Sequence, residues 1–466
     1  RHALATNLIR PSISSQPEIL SYLQHVADRF GLRKAFSFDT RVNAATYDES
    51  GNRWVVETEN GEVVTCTYLI TAVGCLSAAQ LPDIPGREDF AGPWYHTGEW
   101  PHEPVDFTGK RVGVIGTGSS GIQAIPLIAA QAEHLTVFQR TPNFSVPARN
   151  HELSPERVKA LKANIKDIRE FCRWATIGQP YDFKAEEVLN VSAEAREEQF
   201  EADWQKGGFE WMFGSYADLP FVREANDHAA EFVRRKIRET VTDPDIAEKL
   251  IPKDYPIASK RLPLDQGYFE TFNRDNVTLI DVRETPIEKI VSNGVQTSAG
   301  LHGLDELVFA TGFDALTGPL TRIDIRGRNG QLLKDRWAEG PRTYLGVASR
   351  GFPNMFMITG PGSPSVLGNM PTSIEQHMNW ISDFITHARE HDIAVIEPAD
   401  QAEVDWGKHV QELANETLFV EVDSWYLGAN IPGKPRVFLP YIGGFGTYRT
   451  LCNEVAEKGY DGFELS

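Results

Sequence analysis

The chain has 466 residues, of which 46 are lysine or arginine and 65 are aspartate or glutamate, giving a formal charge of −19. Hydrophobic residues make up 41% of it and charged residues 24%, which is typical of a globular protein with a sizeable core and excludes a disulfide-stapled miniature domain. The acidic balance argues against nucleic acid as a partner. We find no run of about 18 apolar residues, so we expect no membrane span and no membrane partner.

The four cysteines are widely spaced along the chain. None forms a CxxC pair, and none lies in a Cys/His cluster with metal-ligand spacing. The first residues also lack the apolar core of a secretory signal. We therefore predict reduced thiols in a cytoplasmic protein without a metal site.

The chain opens with the pattern of an amphipathic helix. Ser15 is a candidate N-cap, apolar residues recur on one face up to Phe30, and Gly31 ends the helix. Three β-type runs follow, at residues 41–47, 53–58 and 63–73. The last run predicts one buried strand, closed by Gly74.

From residue 109 the pattern is that of a βαβ unit. The apolar strand KRVGVIG leads into a helix opened by glycines, and HLTVFQR forms a second strand. In the GxGxxG loop between strand and helix, the glycines permit a tight turn, backbone approach to a pyrophosphate and close helix packing. A glycine turn with a purely structural role is the alternative. The candidate cofactor-binding residues are Gly116, Thr117, Gly118, Ser119, Ser120 and Gly121.

The second strand of the unit ends in Gln139, Arg140 and Thr141, without the acidic residue that holds the ribose hydroxyls of NAD. A guanidinium beside a hydroxyl suits a 2′-phosphate. The strand end therefore favours NADP over NAD, with Arg140 and Thr141 as candidate ligands. A solvated surface charge is the alternative for Arg140.

Two other apolar strands end in a small residue and a glycine. The first closes at Gly74, and the second runs from residue 306 into Gly312 and Asp314. Strand ends of this form bring the backbone close to a flat or charged ligand in flavoproteins with two nucleotide-binding domains. Gly74, Gly312 and Asp314 are therefore candidate cofactor-binding residues, the alternative being two buried strands with tight exits.

Residues 90–101, FAGPWYHTGEWP, read FxGxxxHxxxWP. This string resembles the fingerprint of type I Baeyer–Villiger monooxygenases, a family that includes phenylacetone and cyclohexanone monooxygenases. The resemblance extends from Gln16 to the C-terminus through the segments GKRVGVIGTGSSGIQ, VFQRTPN, ATGFD, IASKR, GYFETFNRDNV and SWYLGANIPG. It implies an enzyme that binds FAD and NADPH, uses O₂, and inserts one oxygen atom beside a ketone carbonyl to give an ester or lactone.

The resemblance also implies roles for particular residues. Arg261 matches the catalytic arginine, whose permanent charge suits an anionic oxygen and a tetrahedral adduct. Lys260 matches a lysine that helps to bind the 2′-phosphate, and Trp425 matches a residue that folds over the nicotinamide end of NADP. His96, in the fingerprint, is interpreted as a positioning residue that links domain motion to catalysis.

We expect an α/β fold with two Rossmann-like nucleotide-binding domains and a helical insertion. Residues 1–104 and 331–466 are predicted to form the FAD-binding domain, and residues 105–330 the NADP-binding domain, with the insertion at about 154–252. The first glycine motif of the family, and the aspartate that pairs with its catalytic arginine, are not in this sequence. We therefore expect an incomplete FAD domain and little or no FAD in the purified 466-residue polypeptide. The alternatives are a flavin-dependent N- or S-oxygenating enzyme and a non-catalytic NADP-binding remnant.

Overall fold

A computed structural model describes residues 13–181, 183–209, 211 and 215–466. Its strands are β1 Val42–Asp48, β2 Arg53–Thr58, β3 Val63–Cys66, β4 Leu69–Thr71, β5 Trp94–His96, β6 Arg111–Ile115, β7 His134–Gln139, β8 Val146–Pro147, β9 Leu264–Asp265, β10 Val277–Asp281, β11 Ile287–Val291, β12 Gly294–Thr297, β13 Gly300–Gly303, β14 Glu306–Phe309, β15 Asp324–Arg326, β16 Met355–Met357, β17 Ile396–Pro398 and β18 Phe463–Leu465.

The described α-helices are Gln16–Phe30, Ser119–Gln131, Pro155–Ala163, Ile165–Trp174, Ala193–Lys206, Arg223–Thr240, Pro244–Leu250, Tyr268–Thr271, Gly318–Thr321, Leu333–Arg336, Met370–Glu390, Asp400–Asn415 and Phe445–Glu457. Shorter 3-10 helices lie at Leu32–Ala35, Arg87–Asp89, Val188–Asn190, Arg328–Gly330, Ser365–Leu367, Leu418–Glu421 and Trp425–Leu427. Among the residues that the structure describes, no helix combines the length and the apolar character that a membrane span requires.

The predicted βαβ unit lies in a five-stranded parallel sheet with the order β10-β7-β6-β14-β5. Buried Ile122 and Ile125 are on the Ser119–Gln131 helix, and both belong to the same core cluster as Val112 and Val114 of β6. The buried face of the helix and the apolar run of the strand therefore share one core. This confirms the unit predicted from the sequence.

A second sheet has the order β15-β1-β2-β3, and β4 pairs separately with β16. The prediction of one strand over residues 63–73 is therefore wrong. The run bends at Thr67. Before the bend Val64 lies opposite Val56 of β2, and after it Ile70 lies opposite Phe356 of β16. An apolar run does not specify its pairing partners, so the sequence pattern merged two strands that belong to different sheets.

The N-terminal helix is present at Gln16–Phe30, and Gly31 caps its C-terminus with a left-handed φ of 62°. The Ser15 side chain makes no capping hydrogen bond. The apolar face is exposed in the described structure, with Ile19 and Leu23 at 49% and 56% exposure. The periodicity thus predicted the helix correctly without indicating what its apolar face contacts.

After β4 the chain leaves the β4–β16 pair for the five-stranded sheet, and after β14 it leaves the five-stranded sheet for β15 of the four-stranded sheet. The two crossing segments, residues 75–80 and 312–316, run antiparallel and are joined by backbone hydrogen bonds. Those bonds run from Gln80 N–H to Gly312 O (3.0 Å), from Asp314 N–H to Ala78 O (2.9 Å), and from Leu316 N–H to Cys75 O (2.8 Å). The crossing segments therefore form one hydrogen-bonded connection between the sheets.

The predicted helical insertion contributes aromatic side chains to a buried core. Trp211 stacks on Phe232 with ring centroids 5.8 Å apart, and Phe200 lies 5.7 Å from Trp211. These rings belong to the same buried cluster as the β6 and β7 side chains. The insertion thus shares its core with the five-stranded sheet.

Candidate active site

The glycine loop after β6 has the conformation that its sequence predicts. Gly116 has a φ of +107°, and a Cβ there would lie 2.5 Å from the Ala310 carbonyl oxygen. A Cβ on Gly121 would collide with the Gly116 carbonyl oxygen, whereas a Cβ on Gly118 would meet no atom within 4 Å. Gly116 and Gly121 are therefore required by the protein's own packing, and Gly118 faces open space.

The loop is fastened to the end of β7. The hydroxyl of Thr117 donates a hydrogen bond to the Thr141 carbonyl (3.1 Å), and Ser119 and Ser120 begin the following helix. The four N–H groups of this first helical turn have no intrahelical partner, so the loop offers donors and a positive helix end to an anion.

Two cations lie close together beside this loop. Arg140 is exposed at the end of β7. Burial lowers the pKa of Lys260, and the positive charge of Arg140 lowers it further. The Lys260 ammonium donates to the Asp423 carbonyl (2.5 Å) and lies 5.2 Å from the centre of the Tyr255 ring. The structure thus brings Lys260, Arg140 and the glycine loop to one edge of the sheet.

The carboxyl ends of β4 and β16 form a second polar region. Gly74 has a φ of +79°, and the nearest atom to a Cβ there is 3.8 Å away. The Cys75 sulfur lies 3.0 Å from the Ser365 hydroxyl and 3.1 Å from that of Thr359. The φ angles of Thr359, Ser365 and Leu316 are +55°, +42° and +63°. Left-handed conformations are costly for non-glycine residues, above all for a β-branched one, and cluster at functional sites.

A buried histidine supports this strained turn. The Thr359 N–H donates to His377 Nδ1 (2.9 Å), and His377 Nε2 lies 2.9 Å from the Tyr448 hydroxyl, which donates to the Leu345 carbonyl (2.6 Å). These directions place the single ring proton on Nε2. Burial lowers the pKa of His377 to about 3, so the ring stays neutral and can accept from Thr359.

Arg261 reaches from the β9 side of the molecule toward this turn. Its Nη1 donates to the Val366 carbonyl (3.1 Å), and its guanidinium lies 5.3 Å from the centre of the Phe209 ring. Burial raises the pKa of Tyr426, and the charge of Arg261 opposes that rise. No carboxylate in the described ranges forms an ion pair with Arg261, so its charge is uncompensated there.

Trp425 lies beside Tyr426, with ring centroids 4.2 Å apart, in the loop that also provides the Asp423 carbonyl to Lys260. The predicted residues Lys260, Arg261 and Trp425 therefore meet at one place. Sequence reasoning missed Tyr426 as the residue that links Trp425 to Arg261, although it recognised the surrounding SWYLGANIPG loop.

His96 is buried at the end of β5, next to the crossing segments. Its Nδ1 accepts a hydrogen bond from the Gly98 N–H (3.0 Å), and its ring meets Phe313 edge-on at 5.9 Å. Its Nε2 makes no hydrogen bond to the described residues. Burial lowers the pKa of His96, which keeps the ring neutral. This location, between sheet and crossing segment, is compatible with the predicted positioning role.

The remaining two predicted residues lie in the second crossing segment. Gly312 has a φ of +84°, and a Cβ there would meet no atom within 4 Å. Asp314 accepts a hydrogen bond from the ammonium of Lys434 (2.6 Å). Sequence reasoning named Asp314 but missed Lys434, because the two are far apart in the chain. In the described residues no cluster of three or more His, Cys, Asp or Glu could hold a metal ion.

Comparison with known proteins gives consistent matches along the chain. Residues 5–194 match the family described as pyridine nucleotide-disulphide oxidoreductase. A Baeyer–Villiger monooxygenase of Pseudooceanicola batsensis is 44% identical over 96% of this chain and 81% of its own length. The chain belongs to the Baeyer–Villiger monooxygenase family.

Two further relatives of this Baeyer–Villiger family member bear on its chemistry. The phenazine N-monooxygenase PhzNO1 of Lysobacter antibioticus is 43% identical over 97% of this chain and 83% of its own length. The crystal structure of OTEMO in complex with FAD and NADP superposes with a TM-score of 0.96 at 40% identity, covering 100% of this chain and 88% of that one. The α/β fold with two nucleotide-binding regions is thereby confirmed.

The family fingerprint has a clear structural role in this Baeyer–Villiger family member. It includes β5, the edge strand of the five-stranded sheet, and a Cβ on Gly92 would collide with the Asp305 carbonyl oxygen. Trp100 packs beside Tyr95, with ring centroids 5.4 Å apart. The motif thus completes the sheet and delivers His96 to the crossing segments.

Proposed function

We propose that the chain is an NADPH- and FAD-dependent monooxygenase that uses O₂ to convert ketones into esters or lactones. The observation that carries this proposal is Arg261. It stands between two strand-end regions, and among the described residues its guanidinium contacts the Val366 carbonyl and the Phe209 ring but forms no ion pair with a carboxylate. A permanent cation kept free of a counter-ion is suited to stabilise negative charge that develops during a reaction.

NADPH would be held by the glycine loop and the two nearby cations. The loop N–H groups would bind the pyrophosphate, and Arg140, Thr141 and Lys260 would bind the 2′-phosphate. Burial and the nearby Arg140 both disfavour the charged form of Lys260. A bound 2′-phosphate would stabilise that charge, which favours NADPH over NADH. Trp425, beside this region, would cover the nicotinamide end.

The residues at the ends of β4 and β16 fit one end of a flavin. Open space beside Gly74 suits the close passage of a flat ring, and the strained turn at Thr359 lies next to it. FAD, when bound, supplies the activation of O₂. The chain's own part is to orient the ring with this turn, which His377 holds in place.

Arg261 would act on the ketone. Attack at the carbonyl carbon places negative charge on the carbonyl oxygen, and a guanidinium can donate two hydrogen bonds to such oxygens without losing its proton. His96 would act indirectly, by fixing Phe313 and thereby the crossing segments.

Oxygenation of a nitrogen atom is a second candidate, favoured by the similarity to a phenazine N-monooxygenase. The deciding experiment supplies NADPH, FAD and air to the purified protein with either a cyclic ketone or an aromatic N-heterocycle, and identifies products by mass spectrometry. Ester or lactone formation supports the proposal, whereas N-oxide formation alone overturns it. Colourless protein that binds NADP⁺ but neither takes up FAD nor forms product would identify a non-catalytic remnant.

We also keep the predicted division into 1–104, 105–330 and 331–466 as a proposal. Sheet membership supports it in outline, although β5 extends the five-stranded sheet to residue 94 and β15 returns to the other sheet at residue 324. A cytoplasmic location is a further proposal, supported by the four free cysteines.

A further inference from the structure

A largely buried ion pair joins two segments that are distant in sequence. The ammonium of Lys434 donates to the Asp314 carboxylate (2.6 Å) and to the Ala315 carbonyl (3.0 Å). Only 12% of the Lys434 side chain and 19% of the Asp314 side chain are exposed. Nearby, the Asn430 amide donates to the Phe313 carbonyl (2.8 Å). Three consecutive residues of the second crossing segment are thus held from one loop.

That loop, residues 423–436, is here called the strap. Its first end contacts the candidate NADPH site, since the Asp423 carbonyl accepts from Lys260. Trp425 and Tyr426 follow, beside Arg261. The stem of Lys434 then folds back over Gly428, whose φ is +71° and whose Cβ would lie 3.1 Å from that stem. The strap therefore spans the distance from the cofactor site to the crossing segment.

The other side of the same crossing segment faces His96. The His96 ring packs edge-on against Phe313, and the Asp314 N–H donates to the Ala78 carbonyl (2.9 Å) of the first crossing segment. Phe313 and Asp314 are therefore fixed by the five-stranded sheet, by the partner crossing segment and by the strap. Phe313 and Asp314 thus connect the five-stranded sheet to the strap by direct contacts.

An ion pair with this little solvent exposure adds little to the free energy of unfolding. Removing a carboxylate and an ammonium from water costs several kcal/mol each, so such pairs contribute geometry more than stability. The chain makes room for the carboxylate as well, because a Cβ on Gly318 would collide with the Asp314 side chain. Lys408 and Glu412, exposed at 73% and 61%, form a surface pair that lacks all of these features.

We propose that Lys434 and Asp314 form a positioning pair that fastens the strap to the crossing segments and so sets Trp425 over the NADPH site. The proposal rests on the proposed function for the identity of the cofactor. It makes Asp314 a positioning residue, in place of the direct cofactor contact expected from the sequence.

The test compares Lys434→Met with Lys408→Met, which removes the surface lysine as a matched control. Limited digestion with chymotrypsin reports cleavage after Trp425 and Tyr426, and calorimetric titration with NADP⁺ reports affinity. In Lys434→Met we expect cleavage to accelerate and NADP⁺ affinity to fall by about 3- to 30-fold, the range of coupling effects carried by residues outside a site. Lys408→Met should match the wild type, and Lys434→Arg should recover most of the protection.

Asp314→Asn separates the two roles of the aspartate. As a positioning residue it should reproduce Lys434→Met in both measurements, and the double variant should be no worse than either single one. Loss of affinity in Asp314→Asn alone, with normal Lys434→Met, would mean direct cofactor contact and would overturn the proposal. A lower melting temperature of Lys434→Met with unchanged digestion and affinity would also overturn it, by showing only a structural role.

Wild-type protein that fails to bind NADP⁺ would instead contradict the proposed function. The digestion comparison remains valid in that case, because it needs no cofactor. Circular dichroism of each variant verifies that the fold is retained.

Discussion

The glycine loop at Gly116 and the turn at Thr359 both lie at the carboxyl ends of parallel strands, but they are built differently. The loop is assembled from about thirty consecutive residues, and its glycines have the space or the close packing that each requires. The turn depends on Cys75, His377 and Tyr448, which come from distant parts of the chain. A pyrophosphate can be bound by the backbone donors of one loop, whereas a flat ring needs a surface assembled from several elements.

This contrast has an energetic side. The glycine loop adopts its backbone without strain, because glycine tolerates positive φ. The turn at Thr359 holds a β-branched residue at +55° and depends on a neutral histidine for support. Removing a supporting side chain such as His377 should therefore disturb the Thr359 turn more than a comparable change disturbs the glycine loop. The predictions below separate the two regions, beginning with the residue that lies between them.

Arg261→Ala should have the largest effect. In flavin-loaded protein we expect ester formation to fall by on the order of 10² or more, because the charge and the planar donor set that stabilise the developing oxyanion are lost. NADP⁺ binding should persist, since the glycine loop and Arg140 are unaltered. Ester product and NADPH consumption are measured together.

Arg261→Lys provides the control for charge alone. It should recover little activity, because an ammonium lacks the planar fork of donors. Unimpaired ester formation by Arg261→Ala would remove Arg261 from the mechanism.

Arg140→Ala tests the 2′-phosphate contact of the locally built region. Loss of one charge-assisted contact should weaken NADPH binding by roughly 1.5–3 kcal/mol and leave NADH binding almost unchanged. Arg157→Ala, at an exposed position, is the matched control. Equal losses for NADPH and NADH would contradict the assignment.

Gly118→Ala and Gly121→Ala distinguish a ligand-facing glycine from a packing glycine. Gly118→Ala should keep its melting temperature, because the new methyl group meets no protein atom, but should bind NADP⁺ about 10-fold more weakly. Gly121→Ala should unfold more easily, by about 1–3 kcal/mol, since its methyl group collides with the Gly116 carbonyl. Identical behaviour of the two variants would refute this distinction.

The smallest expected effect is the dependence of protein stability on pH that His377 causes. Its pKa is about 3 in the folded state and about 6.5 when unfolded, so the unfolded chain binds an extra proton as pH falls below 6.5. As the pH falls from 6 to 5, the free energy of unfolding should therefore decrease by about 1 kcal/mol.

The measurement is denaturant unfolding at several pH values. His377→Gln should abolish that part of the slope, whereas His391→Gln, exposed just beyond the end of the same helix, should keep it. An unchanged slope in His377→Gln would mean that the imidazole does not stay neutral in the folded protein.

The sequence predicted what local patterns encode. The βαβ unit, the N-terminal helix and the crowding around Gly116 all follow from residues close in the chain. The split between β3 and β4 did not, because a strand's partner is chosen by distant residues such as Phe356. The left-handed Thr359 was equally hidden, since its residue type argues against that conformation and only tertiary contacts maintain it.

Site residues show the same division. Lys260 and Arg261 came from resemblance to a family motif, and their neighbours in space, Tyr426 and Val366, could not be found by spacing. The Asp314 carboxylate was noticed in its motif, but its partner Lys434 lies in a loop that only the folded chain brings near.

The parallel pairing of β1 with β15 has a consequence for folding. Residue 44 pairs with residue 324, and the whole five-stranded sheet lies between them in sequence. At about 5–20 residues per second, synthesis of the missing partner takes on the order of tens of seconds. During that time the open edge of β1 is exposed to other chains, so the yield of folded protein should depend on chaperones and on expression rate more than its final stability suggests.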